Sequence, residues 1–163
     1  MKKDLKMLFD NRHKVTQLNI RRYIALLVYL LGMGMLLLSG VFKEKVAGVD
    51  KTYIIIAITL IYILYIIFAY ISNYNYFSFN DESEKLVFRF VSLRPFDNEK
   101  RAIEIYKKDF HGYKIYKSFF SIRQELILII KSKKGIAQYP GISITALNHK
   151  QLNLLKAALN QLA

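Results

Sequence analysis

The chain has 163 residues, 53% of them hydrophobic, and 25 Lys and Arg against 12 Asp and Glu give a net charge of +13. With no Cys, disulfides, thiolate catalysis and Cys-ligated metal sites are excluded, and the length leaves room for one modest domain beside any membrane segments. The positive charge does not by itself point to nucleic acid. No Arg-rich cluster or recognised nucleic-acid motif is present, and a positive-inside bias or a Lys/Asn/Ile/Tyr-rich composition accounts for the excess equally well.

Residues 1–22, MKKDLKMLFDNRHKVTQLNIRR, carry seven Lys and Arg against Asp4 and Asp10. Leu5, Leu8, Phe9, Val15 and Leu18 recur at roughly helical spacing, interrupted by Arg12. The pattern suits a short helix on an anionic membrane surface, or equally a solvated, frayed basic lead-in. Residues 23–42 form a first apolar run, bracketed by Arg21-Arg22 and Lys43, with Tyr23 placed for an interface. The run is too long for a signal peptide and no small-residue cleavage site follows it, so an uncleaved anchor is expected. Residues 43–51, KEKVAGVDK, make a short connection with Gly48 as its flexible point.

Residues 52–72, TYIIIAITLIYILYIIFAYIS, hold 21 residues with no charge, Gly or Pro. As a helix rising about 1.5 Å per residue the run is about 31 Å long, enough to cross a hydrocarbon core of about 30 Å. The two runs are therefore expected to form an antiparallel transmembrane hairpin. Lys and Arg number seven in residues 1–22, three in 43–51 and 15 in 73–163. The connection, poorest in positive charge, is expected outside, with both termini in the cytoplasm. Gly32 and Gly34 of the first run and Tyr62 and Tyr65 of the second fall at similar depth. A phenol in mid-bilayer needs a partner and glycines expose backbone, so Tyr62 or Tyr65 is expected to enter a Gly32–Gly34 notch, or else to face another subunit.

Residues 73–163 read as the water-soluble domain. Residues 74–80 and 85–91 alternate about the polar turn Asp81-Glu82-Ser83-Glu84, a β-hairpin signature. Arg94-Pro95-Phe96-Asp97-Asn98 breaks the pattern. Strands are expected at 102–106, 113–120, 125–131 and 136–144, with turns at His111-Gly112 and Lys133-Lys134-Gly135. The chain ends in a helix. Asn148 is its N-cap and Gln151 completes a capping-box pair, with Leu147 and Leu152 as a hydrophobic staple. Leu152, Leu155, Leu159 and Leu162 form one apolar stripe to lay on the sheet.

Two spans, the immediate hairpin YFSFNDESEKLVFRF and the ending ELILIIKSKKGIAQYPGISITALNHKQLNLLKAAL together resemble the bacterial pleckstrin-homology-like (bPH) domain fused to a two-span membrane hairpin. The resemblance covers residues 23–163. It implies an α+β protein of the bacterial cytoplasmic (inner) membrane whose hairpin is followed by a bent, partly open β-barrel or sandwich closed by a C-terminal helix. It implies no catalytic residues. In the eukaryotic relatives, basic residues around the first strand–turn–strand hold phosphoinositide. Here that turn is Asp81-Glu82-Ser83-Glu84 and Arg89 stands alone, which argues against inositide binding there.

The three His are not at metal-ligand spacing, no phosphate-binding glycine loop is present, and no set of residues with assignable catalytic roles can be assembled. Neither enzyme activity, cofactor, metal nor small-molecule substrate is expected. Lys107, Lys108, Lys131, Lys133 and Lys134 lie at strand ends or turns, where a basic rim near anionic lipid gains about 1 kcal/mol per residue. The leading expectation is a membrane-anchored scaffold that binds a protein partner or a second copy through strand edges and aromatics such as Phe77, Phe79, Phe119 and Phe120. The alternative is an anionic-lipid sensor working through the five lysines.

Overall fold

The computed structural model describes residues 8–38, 45–46, 49–94, 97, 99–132 and 135–162. In chain order the elements are β1 (Leu8–Asp10), α1 (Arg12–Leu38), β2 (Lys45–Val46), β3 (Val49–Asp50), α2 (Lys51–Ile71), β4 (Asn75–Asn80), β5 (Lys85–Ser92) and β6 (Lys100–Tyr106). A 3-10 turn at Lys107–Asp109 leads to β7 (Phe110–Ser118), β8 (Arg123–Ser132), β9 (Gly135–Gln138), β10 (Ile142–Ser143) and α3 (His149–Asn160). The chain is α+β and divides into two units, residues 16–70 forming one and the segments on either side of them the other.

The β-rich unit holds two antiparallel sheets, ordered β1-β4-β5-β6 and β10-β8-β7, with β9 also on β8. In β4 and β5 alternate residues turn inward, so Phe77, Phe79, Leu86 and Phe88 are fully buried, which corrects Phe77 and Phe79 as partner-facing aromatics. Leu126 and Leu128 of β8 meet them from the second sheet, and Leu155, Ala158 and Leu159 of α3 complete one core. α3 starts as expected from its cap. Asn148 Oδ1 accepts the Gln151 amide at 2.8 Å, and the Gln151 side chain accepts the Asn148 amide at 3.1 Å.

Residues 8–11 correct the expected domain boundaries, because the lead-in is part of this fold. Leu8, Phe9 and Asp10 pair with Asn80, Phe79 and Ser78, and Phe9 lays its ring 5.7 Å from that of Phe79. Asn11 is 1% exposed. Its Nδ2 donates to the Asn75 carbonyl at 2.9 Å and its Oδ1 accepts the Phe77 amide at 2.8 Å. The Asn11 carbonyl also accepts the first amide bond of α1, from Val15 at 3.0 Å. One residue thus ends a strand with its side chain and begins a helix with its carbonyl, so residues 8–10 are a strand and not part of a lead-in helix. The domain is not 73–163 alone.

Three smaller expectations also change. α1 begins at Arg12, eleven residues before the expected first span. His111-Gly112 is a β-bulge inside β7, where Gly112 takes φ +153°, and not a turn. The expected strand 136–144 is split into β9 and β10, which lie along the same edge of β8 with Pro140 between them. Residues 39–42 of the expected first span, Gly48, and Pro95, Phe96 and Asn98 of the pattern break lie outside the described residues.

The other unit contains two helices long and apolar enough to cross a membrane. No residue of α2 is buried, and only Leu36 of α1 is. Half-buried or buried positions include 18, 22, 25, 29, 32 and 36 in α1 and 51, 55, 58, 62, 65 and 69 in α2. These recur every three or four residues, so they mark one face of each helix. On these faces Tyr29 and Tyr62 stack with centroids 4.3 Å apart and planes within 7°, and the Tyr29 hydroxyl hydrogen-bonds Thr59 Oγ1 at 3.4 Å. This corrects the expected notch. Tyr62 lies on a ring, and a methyl group built at Gly32 or Gly34 meets nothing within 4 Å. Tyr65 lies on the same half-buried stripe. Between the helices, β2 and β3 pair as a short hairpin, and Asp50 Oδ1 accepts the Thr52 amide at 2.8 Å to start α2. That bond holds the Asp50 carboxyl below its usual range.

Candidate functional site

β6 and the 3-10 turn after it gather the charged surface that the sequence marked with Lys107 and Lys108. In register, Lys85 of β5 faces Tyr106 of β6. The Lys85 ammonium lies 4.9 Å from the centre of the Tyr106 ring, and Lys108 reaches the same ring at 5.5 Å. Lys85 also donates to Glu104 Oε2 at 3.1 Å. The Glu104 hydrogen bond, followed by Tyr106, raises the Lys85 pKa above its ordinary value. Tyr106 is thus a half-exposed ring held between two cations, and it was not visible as a site residue in the sequence.

Of the five lysines expected to act together, Lys107 stands apart. Lys107 turns back on the 81–84 turn, pairing with the Asp81 carboxylate and donating to the Asp81 carbonyl at 3.1 Å. Its amide also donates to the Glu84 carbonyl at 2.9 Å. It is a brace and is corrected as a lipid-facing residue. Lys108 and Lys131 share one cleft of about 370 Å³ with Glu104, Asp109, Tyr106 and Tyr139. Two cations and two carboxylates leave its described charged lining with no net charge. Lys133 and Lys134 lie outside the described residues. Beside the cleft runs β6, the outer strand of its sheet among the described residues, with the outward edge that strand addition uses.

A second surface stands at the β7–β8 turn. Phe119, Phe120 and Ser121 all take positive φ, at 50°, 54° and 69°, a region that costs a non-glycine residue about 1–2 kcal/mol. Phe119 is 54% exposed and Phe120 fully exposed. The sequence supplied the two aromatics but not their position, because residues 119 and 120 alternate as well in a strand as they stand in a turn.

Among the described residues, no group of three or more His, Asp and Glu is placed to hold a metal ion. The chain matches no family model, no curated protein and no solved structure.

Proposed function

We propose that the protein is a membrane-anchored, non-enzymatic interaction module. α1 and α2 cross the cytoplasmic membrane of a bacterium as an antiparallel hairpin, and a PH-like domain on the cytoplasmic side binds a protein segment or a second copy of the chain. Two sheets closed by α3 support the PH-like reading. The unburied, apolar α2 supports the membrane reading, because a soluble core helix of that composition would be covered.

The observation that carries the binding proposal is the Tyr106 cleft. An anionic headgroup needs unopposed positive charge, yet Lys107 is held by Asp81, and Lys108 and Lys131 share their cleft with Glu104 and Asp109. An aromatic ring, mixed charge and an open strand edge suit a peptide backbone and its side chains better than phosphate. Lys107 and Lys85 also lie at the far end of β4 and β5 from Asn75, about 20 Å along the strand from the chain's exit from α2. That separation exceeds a Debye length of about 8–10 Å.

A photo-crosslinking residue in place of Tyr106, in the intact protein in its native membrane, tests the proposal. A discrete protein adduct is expected, lost when Glu104 and Lys108 are both replaced by Ala. Adducts to lipid alone, weakened by salt, would establish the lipid-sensing alternative in its place.

A further inference from the structure

We infer that the Phe119–Phe120 turn is a second, lipid-directed contact, a wedge that enters the headgroup–acyl boundary of the bilayer carrying α1 and α2. The inference rests on the membrane reading proposed above. It assigns a surface distinct from the Tyr106 cleft.

Three features point to lipid. The turn presents Phe119, Phe120 and Ile122 at 54%, 103% and 37% exposure, a continuous apolar tip that the fold itself leaves uncovered. Lys117 is exposed before it and Arg123 follows it, the aromatic-plus-basic composition of interfacial segments. Arg123 pairs with Glu125, so among the described residues beside the turn Lys117 supplies the exposed cation and the rings supply the burial.

The third feature is location, read within the β-rich unit. Ser143 Oγ donates to the Asn73 carbonyl at 2.5 Å, fixing a residue just past the end of α2. Ser143 is paired with Glu125, only a few residues from the turn. The tip therefore lies on the order of 10 Å from Asn73 along β8. If α2 fills the hydrocarbon core with its 21 residues, Asn73 is at headgroup depth, and the tip is held within reach of the same layer. A protein partner would need no such placement. Ile136 on β9 pairs with Lys131 at the opposite end of β8, and offers a comparison as exposed as the tip.

The chain contains no Trp, so a single introduced Trp reports without background. Three variants of the full chain, Phe120→Trp, Ile136→Trp and Ile61→Trp, would be reconstituted in vesicles of zwitterionic and anionic lipid brominated on the acyl chains. Ile61 lies at the middle of α2 with 66% exposure. Its Trp is expected to be strongly quenched, and if it is not, the membrane reading itself fails. With Ile61→Trp quenched, Phe120→Trp is expected to give blue-shifted emission and quenching roughly half as strong, as for a side chain about 5–10 Å into the interface. Ile136→Trp should keep water-like emission without quenching. Water-like, unquenched emission from Phe120→Trp overturns the wedge. So does emission that is blue-shifted but unquenched by brominated lipid, which marks a protein contact, and so does equal quenching at Phe120 and Ile136.

Discussion

Asn11 and Phe77 lie on opposite sides of both long helices in sequence, yet they are bonded twice. The Asn11 amide donates to the Phe77 carbonyl at 3.1 Å, and the Phe77 amide donates to Asn11 Oδ1 at 2.8 Å. Asn11→Ala removes the side-chain partners of a buried amide and of the Asn75 carbonyl, and is expected to destabilise the β-rich unit by about 2–4 kcal/mol. Asn11→Asp keeps the acceptor but sets a buried carboxylate oxygen against the Asn75 carbonyl, so at neutral pH its loss should be at least as large. Urea unfolding of the purified full chain in detergent checks both. Equal stability of Asn11→Ala and the parent chain would contradict the role assigned to this residue.

A related expectation concerns fragments. Residues 73–163 alone lack Phe9 and the β1 edge, exposing the face of Phe79 and the outer hydrogen-bonding groups of β4. That fragment should aggregate or show poorly dispersed amide resonances. Supplying residues 8–11 at its N-terminus through a short Gly-rich linker is expected to restore dispersion.

In the helical unit, Gly32→Ala and Gly34→Ala should be neutral or stabilising by up to about 1 kcal/mol, since the added methyl meets open space and Ala favours the helix. Tyr29→Ala should weaken the pair of helices, with the ring stack alone worth about 0.5–1.5 kcal/mol. Thermal unfolding of the reconstituted protein distinguishes them. Loss of stability confined to the glycine variants would restore the notch.

The basic residues separate by their partners. Lys107→Met strands the Asp81 carboxylate, whose side chain is only 9% exposed, and should cost about 1–3 kcal/mol. Lys131→Met, on an exposed strand end, should fall within about 0.5 kcal/mol of the parent. Chemical denaturation measures both.

Tyr76 gives a pH test. Its hydroxyl donates to Asp10 Oδ2 at 3.3 Å, and its pKa is raised by burial first and by Asp10 next. A phenol that ionises at higher pH folded than unfolded contributes fully below the unfolded value of about 10. That contribution is lost as pH rises through the folded value, because the folded chain then binds more protons than the unfolded one. Tyr76→Phe should therefore lose stability less steeply than the parent above about pH 10. An equal or steeper decline would show that Tyr76 does not contribute.

How much of this was legible in the sequence depends on the range of the physics. α2 and α3 announce themselves through local patterns, an uncharged run and the Asn148–Gln151 capping pair. The β4–β5 hairpin does so through alternation around a polar turn. β1 does not, because three residues are too few to show a period of two, and its partner arrives only after both helices. The cleft was half legible. Lys107-Lys108 marked the place, but which lysine is tied to Asp81 and which lies over Tyr106 depends on β5–β6 register. The Gly32–Gly34 notch misled because equal depth does not fix which side of a helix faces its neighbour.

The pairing of Leu8 with Asn80 also has a consequence during synthesis. At a translation rate of about 5–20 residues per second, β1 waits on the order of 4–14 s for β4 to be made. If the hairpin crosses the bilayer as proposed, the sheet can close only when both ends of the hairpin have been left on the same side. A chain inserted with one helix too few would strand β1 across the membrane and leave β4 with a bare edge and its phenylalanines uncovered. Closure of this sheet then acts as a checkpoint on insertion. A topologically faulty molecule cannot complete its fold, which hands it to the proteases that clear unfolded membrane proteins.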